Sequence, residues 1–189
     1  MVPIFIVMIN SLYVKDKDEY GKFSNIYTGL LYIAVPIALS NLIAFDKAGN
    51  FSGNLLLCFF IIIWCSDVGA FAFGISLGKI FPQKLFPSVS PKKTWIGFIG
   101  GLVSSVLAAF ALYEFGILKF PLIHCLILSF IMSVTGVYGD LFESQWKRVY
   151  GVKDSGKIIP GHGGFLDRFD STLMAMPFGA IYLAIFDLL

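Results

Sequence analysis

The residues between 139 and 170, GDLFESQWKRVYGVKDSGKIIPGHGGFLDRFD, are of the types that handle phosphate and a hard metal ion. On a helix over 138–150, Asp140, Ser144 and Lys147 fall at i, i+4 and i+7 and share one face, flanked by Glu143 and Arg148. Gly161, Gly163 and Gly164 surround His162, and glycine at that density permits tight turns that present backbone amides to an anion. Asp167 and Asp170 follow at i, i+3, so both carboxylates project from one side of a helical turn. Carboxylates supply hard oxygen ligands to magnesium, while Lys and Arg neutralise phosphoryl oxygens, so the set fits a magnesium and polyphosphate site. A transition-metal centre lacks ligands, since His162 is the one nitrogen donor in reach and the segment has no Cys. A hydrolase built from Ser144, His162 and Asp167 is open by residue type, but no nucleophile elbow is present and the lysines go unexplained. No P-loop, dinucleotide-binding or nucleic-acid motif occurs, and nucleic acid is not expected as a partner.

A second basic segment, GKIFPQKLFPSVSPKKTW, precedes this one in the chain. Pro82 and Pro87 exclude a helix there, and Ser90 with Pro91 reads as an N-cap and first helical residue, placing Lys92, Lys93 and Thr94 in a first turn. Lysines oppose the dipole at that end of a helix, so the pattern calls for an anion, phosphate being the candidate. The alternative is a basic anchor at a membrane surface.

The elements that must hold these residues are apolar. Of the 189 residues 57% are hydrophobic and 14% charged, against about a quarter charged in soluble proteins, which excludes a soluble monomer. Five stretches, 23–45, 54–78, 95–113, 120–138 and 171–189, contain only Asp67 and Asp187 among all charged residues. Each is long enough for a helix to cross about 30 Å of hydrocarbon. The expected fold is therefore all-α: a polytopic integral membrane protein with five full transmembrane helices, a partial N-terminal helix over residues 1–14, and a cytoplasmic catalytic loop. Segments 15–22, 79–94 and 139–170 share one side and carry 12 of the 14 Lys and Arg residues, so the positive-inside rule puts them in the cytoplasm. Asp67 lies mid-span, where a charge costs about 2.5–3.5 kcal/mol on insertion scales, and should face a polar cavity or hydrogen-bond a neighbouring helix. Ser66, Ala70, Gly74 and Gly78, and on the next helix Gly97, Gly101 and Ser105, form stripes suited to close packing. Cys58, Cys65 and Cys125 lie in apolar spans and read as small buried side chains.

The run from Ser144 to Asp170 resembles the signature of the phosphatidate cytidylyltransferase, or CDP-diacylglycerol synthase, family. Asp67 with the following GAFAFG, the Gly78 and Lys79 pair, and SPKKTW at 90–95 look like that family's upstream motifs. The resemblance implies one membrane-embedded cytidylyltransferase domain over 1–189, with fewer helices before the first motif than the family usually has. It implies transfer of CMP from CTP to phosphatidic acid, with magnesium and a monovalent cation such as potassium, in a homodimer within a membrane, the inner membrane if the source is bacterial. By motif, Asp140, Asp167 and Asp170 would be metal ligands, and Ser144, Lys147 and Arg148 would join Asp167 and Asp170 in the catalytic set. Substrate contacts would come from Asp67, Lys79, Ser90, Lys92, Lys93 and Thr94 upstream, and from Lys153, Asp154, His162, Gly163, Gly164 and Arg168 in the signature. Two other readings stand beside it: a CTP-dependent kinase or cytidylyltransferase acting on a prenol or ether lipid, and a transporter with Asp67 as its ion site.

Overall fold

The structure, a computed structural model, describes residues 17–45, 49–158 and 163–189. Helix α1 (Lys17–Gly29) continues through a π-helical segment, Leu30–Ala34, into α2 (Val35–Ala44). Pro36 has no N–H to give the carbonyl of Tyr32, and the ladder widens there, with the Val35 amide bonding Leu30 O. Four long helices follow: α3 (Asn54–Ser76), α4 (Trp95–Glu114), α5 (Leu122–Val149) and α6 (Leu166–Ile185). Among the described residues four helical stretches are long and apolar enough to cross a membrane, namely Phe23–Ala44, α3, α4 and α5. The five full spans expected from the sequence are therefore corrected to four among the described residues. Helix α6 has the length, at 20 residues, but starts inside the polar run at Leu166 rather than after it, and so carries Asp167, Arg168 and Asp170 in its first five positions. The N-terminal helix expected over 1–14 lies outside the described residues.

The first helical turn expected at Ser90–Thr94 is also corrected. Strand β1 (Lys84–Phe86) pairs antiparallel with β2 (Ser90–Thr94), Lys84 opposite Thr94 and Phe86 opposite Ser90, so Lys92 and Lys93 lie in a hairpin. The helix starts at Trp95, and its N-cap is Thr94, whose side chain accepts from the Gly97 amide at 3.2 Å in a β-region conformation. The proline at 91 suits an exposed two-stranded ribbon as well as a first helical turn, and the threonine is the better-placed cap. Lys92 and Lys93 therefore do not oppose a helix dipole.

Packing depends on small residues at each crossing. A Cβ on Gly97 would stand 2.9 Å from Ala70 O and one on Gly101 2.9 Å from Ser66 O, so α3 and α4 approach backbone to backbone along the stripes seen in the sequence. Ser66 and Ser133 share a hydrogen bond at 2.7 Å that ties α3 to α5. Phe59, Ile62, Ile63, Leu128, Met132 and Leu183 fill the interior between α3, α5 and α6. The outer faces are apolar as well, with Leu31, Val68, Phe71, Leu107 and Phe130 exposed, as lipid-facing positions of a multi-pass membrane protein are. The three cysteines are free, Cys58 and Cys125 buried and Cys65 half-buried.

Candidate active site

Helix α5 is 28 residues long, so it carries its apolar half through the core and then continues unbroken to present Asp140, Glu143, Ser144 and Lys147 beyond it. It ends on Gly151, at φ +67°, with Gly151 N–H to Arg148 O at 3.1 Å and Val152 N–H to Lys147 O at 3.0 Å. This pair of bonds is a Schellman stop, which needs a left-handed residue that glycine supplies without a Cβ penalty. The stop turns Asp154 and Ser155 back toward α6.

The polar end of α6 meets α5 closely. A Cβ on Gly139 would fall 2.5 Å from Asp170 O and 2.7 Å from Met174 Cβ, so glycine there lets the neighbouring Asp140 and Asp170 share one space. Tyr32 fixes the same crossing from the N-terminal helix, its hydroxyl placed to donate to Gly139 O at 3.2 Å and Asp170 O at 3.1 Å. Its ring packs on Phe142 and Trp146 of α5.

Between α3, α5 and α6 lies a cavity of about 600 Å³ lined by Asp67, Asp140, Lys147, Asp154, Asp167, Arg168 and Asp170, with Trp64, Phe169 and Ser171. Asp67 is exposed to it beside Ser171 and within electrostatic reach of Asp140 and Lys93. That meets the expectation of a polar cavity for a mid-span carboxylate.

Asp167 is the most heavily bonded group. Its Oδ2 accepts from Ser155 N at 2.9 Å, Ser155 Oγ at 2.8 Å and Gly164 N at 2.7 Å, and its Oδ1 accepts from Lys147 Nζ at 2.5 Å. Burial pushes the carboxyl up, but the Lys147 ammonium and the Gly164 and Ser155 donors outweigh it and hold Asp167 well below the usual carboxylate range. The glycine loop closes over it because Gly163 takes φ +85° and a Cβ on Gly164 would collide with Ser155 Oγ. Lys147 also donates to Glu143 Oε2 at 2.9 Å, and Glu143 is buried at 1% exposure. The Asp170 and Glu143 carboxyls lie near enough for each to feel the other's charge. Asp140 accepts from Ser144 Oγ at 3.2 Å and pairs with Lys93 of β2 at 2.7 Å.

The structure thus gathers Asp67, Lys93, Asp140, Ser144, Lys147, Asp154, Asp167, Arg168 and Asp170 at one place, with Gly163 and Gly164 against Asp167. It does not put Lys79, Ser90, Lys92, Arg148 or Lys153 on the cavity wall; all but the half-buried Ser90 are exposed. Thr94 is buried as a cap. His162 lies outside the described residues. Glu143, Ser155, Ser171 and Tyr32 belong to the arrangement and carried no site assignment from sequence. Glu143 had a signal, the Glu-to-Lys spacing of four within a helix, whereas Tyr32 sits in an apolar span with nothing to mark it.

A helical, multi-pass membrane protein with a cation-lined acidic cavity is the class that these features define. The chain belongs to the cytidylyltransferase family, whose sequence model matches residues 1–186. It is similar to the phosphatidate cytidylyltransferase of Bacillus subtilis (strain 168), 40% identical over 184 residues, which is 96% of this chain and 64% of that one. The phosphatidate cytidylyltransferase of Staphylococcus aureus (strain COL) is 46% identical over 173 residues, 92% of this chain and 64% of its own. That of Staphylococcus saprophyticus (strain ATCC 15305) is 45% identical over 124 residues, 66% of this chain and 46% of its own. The chain spans less than two thirds of the length of these relatives.

Proposed function

We propose that this protein transfers CMP from CTP to phosphatidic acid, forming CDP-diacylglycerol and pyrophosphate, at the cavity between α3, α5 and α6. The observation that carries the reading is the meeting of Lys147 and Arg168 with five aspartates around one cavity of about 600 Å³ at the polar end of an apolar bundle, with Lys93 paired to one of them, Asp140. A triphosphate and a lipid headgroup both need such a place, cationic toward phosphate and open beside the hydrocarbon. The relatives' names support the same substrates.

A phosphate monoester is largely dianionic near neutral pH, so its oxygen is already a nucleophile and no strong general base is required. That oxygen attacks the α-phosphorus of CTP; the new P–O bond forms as the bond to the β-phosphate bridging oxygen breaks, and pyrophosphate departs with that oxygen. The protein's part is alignment and charge neutralisation. Lys147, fixed in the cavity wall, stabilises charge on the transferring group, and Arg168 and Lys93 flank the departing pyrophosphate. Trp64 and Phe169 give the cavity an apolar side for the glycerol end of the lipid.

Magnesium fits this donor set. Among the described residues no three His, Cys, Asp or Glu side chains form a cage for a metal ion, and magnesium needs none, since it binds through one or two carboxylates together with phosphate oxygens and water. Asp140, Asp167 and Asp170 would hold it, and it would supply further neutralisation of phosphoryl charge. The charge of the basic segments 79–94 and 139–170 supports a cytoplasmic cavity by the positive-inside rule, on the side where CTP is found.

The test is release of pyrophosphate from CTP by the purified protein in detergent. Release that requires both phosphatidate and magnesium supports the assignment. Release of CDP in place of pyrophosphate would mark a lipid kinase, and no phosphatidate-dependent product would reject the proposal.

A further inference from the structure

Lys147 is held by two carboxylates of unequal standing. Asp167 has three other hydrogen-bond donors, all on Oδ2, and keeps them whether or not Lys147 is present. Glu143 has no such alternatives: it is 1% exposed, its Oε2 accepts from Lys147 Nζ at 2.9 Å, and its Oε1 meets no donor among the described residues. A buried carboxylate whose bonded cation is a single lysine loses far more by separation than a carboxylate with three further donors. The spacing on α5 reinforces this, because Glu143 and Lys147 lie one turn apart on the same helix and keep their relation however α6 and the glycine loop move.

From this geometry we infer that Glu143 is the positioning residue for Lys147: it holds the ammonium at the cavity wall while Asp167 is the exchangeable partner, whose place a phosphoryl oxygen takes. The inference rests on the proposed reading of the cavity as a nucleotide site. A lysine has three N–H donors, and two are engaged here, one with each carboxylate. If Glu143 anchors one, ligand binding needs only the Asp167 bond to be exchanged, and the charge stays where the transferring group will be. If Asp167 were the anchor instead, Lys147 would leave the cavity wall with any movement of the loop that Asp167 organises.

The first measurement does not depend on turnover. The full chain in detergent is treated with an acetylating reagent, and modification of Lys147 is followed by peptide mass spectrometry, with exposed Lys79 and Lys92 as controls for folding. In Asp167→Asn, Lys147 should react within about twofold of the wild-type rate, because Glu143 still holds it. In Glu143→Gln it should react at least fivefold faster while the control lysines are unchanged. Should Glu143→Gln fail to fold, Glu143→Asp, which keeps the charge but withdraws it by one methylene, should still raise the rate at least twofold. Equal release of Lys147 by Asp167→Asn and by the Glu143 variants, or no release by the latter, overturns the inference.

The second measurement follows kcat and KM for CTP. Glu143→Gln should lower kcat at least 30-fold with KM changed less than threefold, and should cost nothing further in a Lys147→Met background, because a positioning residue acts only through the group it positions. An equal further loss in that background would mean Glu143 acts independently and would also overturn the inference. A wild-type protein that releases no pyrophosphate sinks the proposed function, yet leaves the labelling result to decide this one.

Discussion

Lys93 and Asp140 meet at 2.7 Å although they belong to different segments, one in strand β2 of the hairpin before α4 and the other on α5. With the Phe86 and Tyr138 rings packed edge to face at 6.5 Å, this pair docks the hairpin on the cavity. Both partners are partly exposed, at 25% and 34%, so the ion pair contributes no more than about 1 kcal/mol to stability. Lys93→Met should therefore leave the thermal midpoint within a few degrees of wild type while lowering turnover more than tenfold, through loss of a cation beside the proposed nucleotide site. A large fall in midpoint with turnover per folded molecule unchanged would make the pair structural only.

Gly139 predicts the opposite balance. Its absent Cβ lets α5 lie against Asp170 O and Met174, and an added methyl must push the helices apart at the point where Asp140 and Asp170 converge. Overpacking of this kind costs about 1–3 kcal/mol. Gly139→Ala should lower both stability and turnover, whereas Gly136→Ala, whose Cβ would meet nothing closer than 3.4 Å, should be tolerated. Equal thermal midpoints for the two variants would argue against the crossing as the feature that assembles the site.

The sequence made α5 and its polar face legible because helical periodicity persists past the end of the apolar stretch, which is why Asp140, Ser144 and Lys147 could be placed together before any coordinates. The i, i+3 spacing likewise put Asp167 and Asp170 on one side of a helical turn, and α6 tolerates those charges because they turn into a polar cavity. The hairpin, in contrast, was hidden. A serine followed by proline fits a helix start by local propensity, and only the pairing of β2 with Lys84–Phe86 decides against it. Tyr32 and Ser155 were beyond reach, since their partners lie 138 residues away in one case, Asp170, and 12 away in the other, Asp167.

Lys147→Met tests whether this charge acts in the transition state or in binding. A cation aimed at the transferring phosphoryl group stabilises charge that develops during transfer, so kcat should fall at least a hundredfold with KM for CTP changed severalfold at most. An unchanged kcat with a raised KM would make Lys147 a ground-state contact.

Asp140→Asn removes a hard anionic oxygen without changing side-chain volume and leaves Lys93 without its carboxylate. The magnesium concentration giving half-maximal turnover should rise at least tenfold, while circular dichroism stays that of the wild type. An unaltered magnesium dependence would show that Asp140 serves only to dock the hairpin.

Asp167 yields a pH dependence with a definite sign. Its carboxyl is raised by burial but lowered more by Lys147 and by the Gly164 and Ser155 donors, so its folded value lies below the value of about 3.9 for an unfolded aspartate. A carboxyl depressed in this way adds stability that is fully present above the unfolded value and is lost as pH falls through the folded one. The gap in thermal midpoint between wild type and Asp167→Asn should accordingly stay constant from about pH 7 to 5 and begin to close only below about pH 4. The variant keeps the shape of the side chain but offers Lys147 a neutral amide oxygen, so the gap reports the charge and its bonds more than lost packing. A gap that already closes between pH 7 and 5 would mean the carboxyl titrates above the unfolded value, and the bonded arrangement of Lys147, Gly164 and Ser155 around Asp167 would not be the one that stabilises the protein.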